Sequence, residues 1–284
     1  MKNTIEVKLE KEKINYKVYA PYKHSDYIQR TILESGKPYE YELLQLMLSY
    51  LKDDDCVLDV GMNIGNHSLF FAANGFKVIG LEANPKMREI AQKSIEINGF
   101  ENLIKIIPQG VSDKEETLYF KREIYNNYGG MSLANDGNKN LGEIYCNTLD
   151  SLNLQENFKI IKLDIEGMEA KALNGARELI AKNRPLIFAE ANYTDDFLKV
   201  ARVLDGMGYA CVDSFGENTM HFFMPLELVS EKQLLAYNAN KITRLTSEVW
   251  EIKREMQRQN YFQRFSMRFK NSCKKRFKKY ILRV

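Results

Sequence analysis

Tryptophan occurs once in the 284-residue chain, histidine three times, cysteine four times and proline six times. The cysteines (Cys56, Cys146, Cys211 and Cys273) are scattered and form no C-x-x-C pair, which excludes a disulfide framework or a zinc ribbon. Three of them sit in or beside apolar strand-like runs, as free thiols buried in a reducing cytoplasm would. No run approaches the roughly 20 apolar residues that a membrane-spanning helix needs. The opening residues Met1 to Lys8 contain no apolar core of a secretory signal, so the expected location is cytoplasmic. Repeats and Pro/Gly/Ser-rich linkers are also missing.

Charge of one sign is not scarce overall but is unevenly spread. The chain carries 41 basic and 38 acidic residues, a net of only +3. Residues 241–284 hold 14 Lys/Arg against 3 acids, which leaves 27 basic and 35 acidic residues before them. An acidic body thus precedes a strongly cationic tail.

Within the body, β-branched runs at Cys56–Val60, Lys77–Leu81, Ile104–Ile107, Lys159–Leu163, Leu186–Ala189, Tyr209–Val212 and His221–Met224 read as strands. Helical patterns near 65–74, 85–98, 168–182 and 194–207 lie between them, with Pro85 in a first turn and Gly99 just past an end. Such alternation predicts a doubly wound α/β sheet. Residues 1–50 read as a strand pair and one helix (Tyr41–Leu51), and 113–148 as a long insertion near the active face.

Ligands of such sheets bind at the carboxyl ends of the strands. The first central strand ends in Asp59-Val60-Gly61-Met62-Asn63-Ile64-Gly65, a tight turn that opens a helix without following G-x-G-x-x-G. Asp59, read as part of this loop, would repel a pyrophosphate and welcome an ammonium group, which shifts the reading towards S-adenosylmethionine. Glu82, in Leu81-Glu82-Ala83-Asn84-Pro85 about 20 residues on, is placed for ribose hydroxyls, or for capping a helix. Gly110 and Val111 follow the third strand, where backbone and small side chains could flank an adenine. Tyr39-Glu40-Tyr41-Glu42 is placed either to close this site through Glu40 or as surface charge.

The segments D-V-G-M-N-I-G (59–65), L-E-A-N-P (81–85), V-S-D (111–113), T-L-D-S-L (148–152) and K-L-D-I-E-G-M-E (162–169) together resemble FkbM-type methyltransferases. The resemblance covers about residues 39–192. It implies a Rossmann-like class I methyltransferase with a seven-stranded, mostly parallel sheet, S-adenosylmethionine as cofactor, and hydroxyls of sugars or related natural products as acceptors. Carried over, Asp59, Gly61, Asn63 and Gly65 would line the methionine end and Glu82 the ribose, with Asn84 a further cofactor-site candidate.

An alcohol attacks a sulfonium methyl only as its proton leaves, so a base is needed. Asp164 ends the fourth strand beside the crevice, followed by Glu166 and Glu169, whose spacing puts them on one face of a helix start. Three neighbouring acids would raise at least one pKa, although both glutamates also suit a helix N-terminus. His67 is a further base candidate, with packing as the alternative; His24 and His221 offer no evident partner. A competing reading assigns Asp164, Glu190 and Asn192 to a hard cation such as Mg²⁺.

In the tail, Leu235, Asn238, Ile242, Leu245, Val249, Ile252 and Met256 follow heptad spacing, the pattern of a homo-oligomeric coiled coil or of a helix packed on the body. Beyond it, Phe262, Phe265, Phe269, Cys273, Phe277, Tyr280 and Ile281 form one stripe amid Lys/Arg, which suits an anionic membrane interface better than nucleic acid. The expected organisation is a lead-in (1–50), a methyltransferase domain (51–230), a coiled-coil helix (231–258) and a basic amphipathic helical tail (259–284). The expected activity is O-methylation of a polysaccharide or lipid-linked glycan at the inner membrane face. Nucleic-acid methylation is one alternative, although no N-P-P-Y or P-C motif is present; a non-catalytic assembly role is the other.

Overall fold

The structure, a computed structural model, describes residues 3–11, 13–124, 127–216 and 219–239, with positions 241, 242, 246, 250, 253 and 254. The chain divides after Val229 into two units.

The first unit opens with an antiparallel hairpin, β1 (Thr4–Leu9) and β2 (Ile14–Tyr19), in which alternate residues are buried. Two helices follow where one was expected. Helix α1 (Tyr27–Ser35) is started by the Asp26 carboxylate, which accepts from the Gln29 N–H, and ended by Gly36 in the left-handed region. Helix α2 spans Tyr41–Ser49. The Rossmann-like core then alternates β3 (Cys56–Val60), α3 (Asn66–Ala73), β4 (Lys77–Leu81), α4 (Pro85–Asn98) and β5 (Ile104–Ile107). Asn84 caps α4 and Gly99 closes it, so both ends of this helix are written in local sequence.

The stretch 113–148, read as an insertion from its Asn and Gly content, contributes strands of its own among its described residues. Strands β6 (Gly110–Val111), β7 (Glu116–Phe120), β8 (Leu133–Ala134) and β9 (Glu143–Asn147) pair as a four-stranded sheet in the order β6-β9-β7-β8. Its own small core joins Leu118, Phe120, Ile144 and Cys146 to Met168.

The chain returns through β10 (Phe158–Leu163), and the helix expected over 168–182 is two, α5 (Glu169–Asn174) and α6 (Arg177–Asn183). The break falls at Gly175, where a Cβ would collide with the Ser112 carbonyl. The α6 N-terminus is satisfied from a distance: both oxygens of Asp150 accept N–H bonds, from Glu178 at 3.1 Å and Leu179 at 2.9 Å. Strand β11 (Leu186–Glu190), α7 (Thr194–Asp205), β12 (Tyr209–Phe215) and β13 (Met220–Pro225) complete the unit.

The main sheet has seven strands in the order β12-β13-β11-β10-β3-β4-β5, all parallel except β13. Successive residues of β3 feed opposite cores, Val57 to the side of α2, α3 and α4, and Leu58 and Val60 to the side of α5, α6 and α7. The order reverses between β3 and β10, which opens a crevice at their carboxyl ends. His221, read as lacking a partner, is buried in β13, with Nδ1 2.8 Å from Ser214 Oγ and Nε2 3.3 Å from the Ala191 carbonyl.

In the second unit residues 231–239 are helical, and Leu235 and Ile242 are exposed. The heptad positions Leu245, Val249, Ile252 and Met256 and the aromatic–basic stretch 259–284 lie outside the described residues. No described helix is long and apolar enough to cross a membrane.

Candidate active site

The crevice between β3 and β10 widens into an open cleft of about 980 Å³, its mouth included. Its floor is a close approach of two loops. Gly61 has φ +82°, and a Cβ there would strike the Asp164 carbonyl. The Asp164 N–H donates to the Val60 carbonyl at 3.0 Å, and the Gly61 and Met62 N–H groups donate to Leu81. Only glycine lets the three strand ends meet this tightly.

Glu82, at the end of β4, is held by backbone alone: Asn63 N–H donates to one carboxylate oxygen and Asn84 N–H to the other, each at 2.7 Å. Burial raises its pKa despite those donors. A fixed carboxylate with one lone pair left on each oxygen is well suited to a vicinal diol. Asn63 is itself left-handed (φ 53°), and the insertion closes over it, since a Cβ on Gly129 would collide with its side chain. Gly110, Val111, Glu40 and Asn84 also line the cleft. These features fit S-adenosylmethionine: a carboxylate at the second strand end, backbone and small side chains at the third, and a glycine turn at the first.

Three residues assigned to the cofactor or to catalysis lie elsewhere. Asp59 is not in the loop but within β3, fully buried, where it accepts from Ser68 Oγ at 2.7 Å and faces Lys162 Nζ at 3.4 Å. Its charge is met by a lysine, so it is not available to a ligand ammonium group. Gly65 packs towards Ala91 of α4 and does not line the cleft. His67 is buried behind the wall, with Nε2 3.1 Å from the Glu40 carboxylate; it steadies Glu40 and does not face the cleft.

Lys162 is the residue that sequence reasoning passed over. It is buried in β10, donates to the Gly61 carbonyl at 2.9 Å, and lies 3.3 Å from Asp164. Burial would depress its pKa, but the Asp164 and Asp59 carboxylates outweigh that and raise it. The signal was present: a charged residue inside the apolar run Ile160-Ile161-Lys162-Leu163 has no place in a two-sided core without buried partners.

Carboxylate oxygens of Asp164, Glu166 and Glu190 lie within 4.8 Å of one another, and all three residues line the cleft. Their environments separate their protonation states. Burial pushes against ionisation of Asp164, but the Lys162 ammonium holds its pKa below the usual carboxylate value. Burial, then the Asp164 charge, pushes Glu190 up to about 9, and the two share a hydrogen bond. Glu166, at φ 54° in the turn before α5 and not in the helix, is raised to about 7 by burial and by Asp164. Glu169 is also raised to about 7 by burial, but its Oε1 accepts from Ile165 and Gly167 N–H, which ties it into the turn.

The three acids are all-oxygen donors of the kind a hard cation takes. Lys162 offsets part of their charge, and Asp164 and Glu190 share a hydrogen bond. Asn192, the third ligand expected on sequence, has its side-chain oxygen engaged by the Thr219 N–H at 3.1 Å.

Residues 59–211, more than half of the chain, match the model of the Methyltransferase FkbM domain. A curated relative, the 23S rRNA (uracil(747)-C(5))-methyltransferase of Pyrococcus abyssi, is 30% identical over 96 residues, which is 32% of this chain and 23% of that protein. Among solved structures, the FkbM methyltransferase of Methylobacillus flagellatus superposes with a TM-score of 0.48 at 17% identity, covering 62% of this chain and 45% of the other. The Pyrococcus abyssi tRNA (uracil-54, C5)-methyltransferase, solved with S-adenosyl-L-homocysteine, gives 0.43 at 14% identity, over 78% of this chain and 44% of that one. The chain therefore spans a quarter to a half of the length of these relatives.

Proposed function

The chain belongs to the FkbM methyltransferase family, and from that premise we propose that it is an S-adenosylmethionine-dependent O-methyltransferase whose acceptor is a saccharide hydroxyl. The observation that carries this reading is Glu166, a carboxylate on the wall of the cofactor cleft within 4.8 Å of those of Asp164 and Glu190, where burial and the Asp164 charge push its pKa up to about 7. A general base works best when its pKa lies close to the working pH.

When bound, S-adenosylmethionine supplies an electrophilic methyl group for in-line displacement. Glu82 would hold the ribose diol, and the Gly61–Asn63 turn would give the cofactor close access to backbone. Glu166 would take the proton of the acceptor hydroxyl and so make the acceptor's oxygen the nucleophile towards that methyl group. Asp164 stays ionised against Lys162 and Glu190 stays protonated, so neither competes for that proton.

The rRNA-modifying relative raises a second reading, methylation of a nucleic-acid base. Carbon 5 of a uracil must be activated by addition of a thiolate to the ring. Of the described cysteines none lines the cleft, and burial pushes Cys56 up to about 12 and Cys146 up to about 11. The hydroxyl reading is therefore preferred. The cationic stretch 257–284, with its aromatic stripe, supports a working position at an anionic membrane surface, and the 235–256 heptads support self-association.

Calorimetry with S-adenosylmethionine followed by product release on a panel of sugars tests the proposal. Cofactor binding with methyl ether formation that survives EDTA is the expected result. Absence of cofactor binding, or methylation confined to RNA, would overturn it.

A further inference from the structure

A second cleft, about 1390 Å³ with its mouth, shares Glu166, Met168 and Glu190 with the cofactor cleft, so the acids form a common wall. One side comes from the small sheet, through Lys121, Arg122 and Ser132 beyond β7; the other comes from the β11–α7 connection, through Tyr193. The Lys121 N–H donates to the Ser132 carbonyl at 3.0 Å, which fixes the backbone that carries the two cations.

The charges on this wall are not equivalent. Lys199 is taken by Asp196 at 2.8 Å. Glu169 is tied into its turn, and Glu190 shares a hydrogen bond with Asp164. Lys121 and Arg122 are exposed, and among the described residues no carboxylate pairs with either. Tyr193 is 74% exposed, so its ring face is open to a ligand. An aromatic face suits the C–H face of a pyranose, and two adjacent cations suit an anion.

We infer that the second cleft is the acceptor site and that it takes an acidic saccharide, its carboxylate or phosphate on Lys121 and Arg122, its ring on Tyr193 and its reacting hydroxyl at Glu166. This rests on the methyltransferase reading above and adds the acceptor class. Discrimination arises because an acidic sugar finds two unpaired cations at the rim, whereas a neutral one leaves them solvated.

The test uses the full chain with S-adenosylmethionine and three acceptors: a neutral methyl hexoside, its uronic acid, and its phosphate ester. The expected result is a kcat/KM at least about tenfold higher for one or both acidic sugars, an advantage that shrinks as salt is raised. The uronic and phosphate arms show which anion is preferred. Lys121→Ala with Arg122→Ala should remove the advantage mainly through KM, with S-adenosylmethionine affinity retained; Lys121→Glu with Arg122→Glu should reverse the preference. Equal turnover of neutral and acidic sugars, or an advantage that the double variants do not alter, would overturn this inference and leave the O-methyltransferase reading standing. Cofactor binding with no sugar methylated, or methylation of a short RNA instead, would overturn both.

Discussion

The ends of β3 and β4 and the ends of β10 and β11 are neighbours on one sheet edge, yet they treat their acids in opposite ways. On the first side each carboxylate is matched: Glu82 has a backbone N–H on each oxygen, and Asp59 has Ser68 and Lys162. On the second side Asp164, Glu166 and Glu190 crowd together with one ammonium among them, and their pKa values spread from below the ordinary range to about 9. Matched groups hold a ligand without changing state. Mismatched groups are set to exchange a proton. The division predicts that binding and turnover can be damaged separately.

Glu166→Gln should show the largest effect. Loss of a general base lowers kcat by about 10²–10⁴, with the cofactor Kd within a fewfold of wild type. A comparable loss of cofactor affinity, read by calorimetry, would merge the two sides and break the comparison. Lys162→Met should come next and should act on both sides at once. It leaves Asp59 and Asp164 uncompensated, which costs about 3–5 kcal/mol and lowers the Tm by roughly 10 °C in a thermal melt. An unchanged Tm would show that the lysine does not join the two sides. Glu82→Gln should be the mildest, weakening S-adenosylmethionine about 10- to 100-fold while kcat at saturating cofactor holds.

The main sheet was legible because its strands are apolar runs bounded by glycine and proline, and α4 because Asn84, Pro85 and Gly99 are local signals. The break between α5 and α6 was not, since it depends on Ser112 crowding Gly175 and on Asp150 capping a helix some 28 residues away. The small sheet escaped for a similar reason: β6 and β8 are two residues each and exist only through pairing with β9 and β7. In the site, Gly61, Asn63, Glu82, Gly110 and Val111, each at or just past a strand end in the sequence, line the cleft. Asp59 does not, because one residue of register decides whether a strand-end acid is in the loop or inside the sheet, and its partner Lys162 comes from a distant strand. Asp164 stood out by position; the buried ammonium 3.3 Å away, which holds its pKa low and moves the proposed base role to Glu166, comes from packing and not from spacing.

The most direct test is the pH dependence of single-turnover methyl transfer at saturating S-adenosylmethionine. Glu166 must be ionised to accept a proton, and its pKa is raised to about 7, so the rate should climb about tenfold per pH unit below neutrality and level off above it. In Glu166→Gln that limb should vanish along with most of the rate. A limb that persists in Glu166→Gln, or a wild-type rate that is flat from pH 5 to 8, would contradict the assignment of the base and with it the division of labour along the sheet edge.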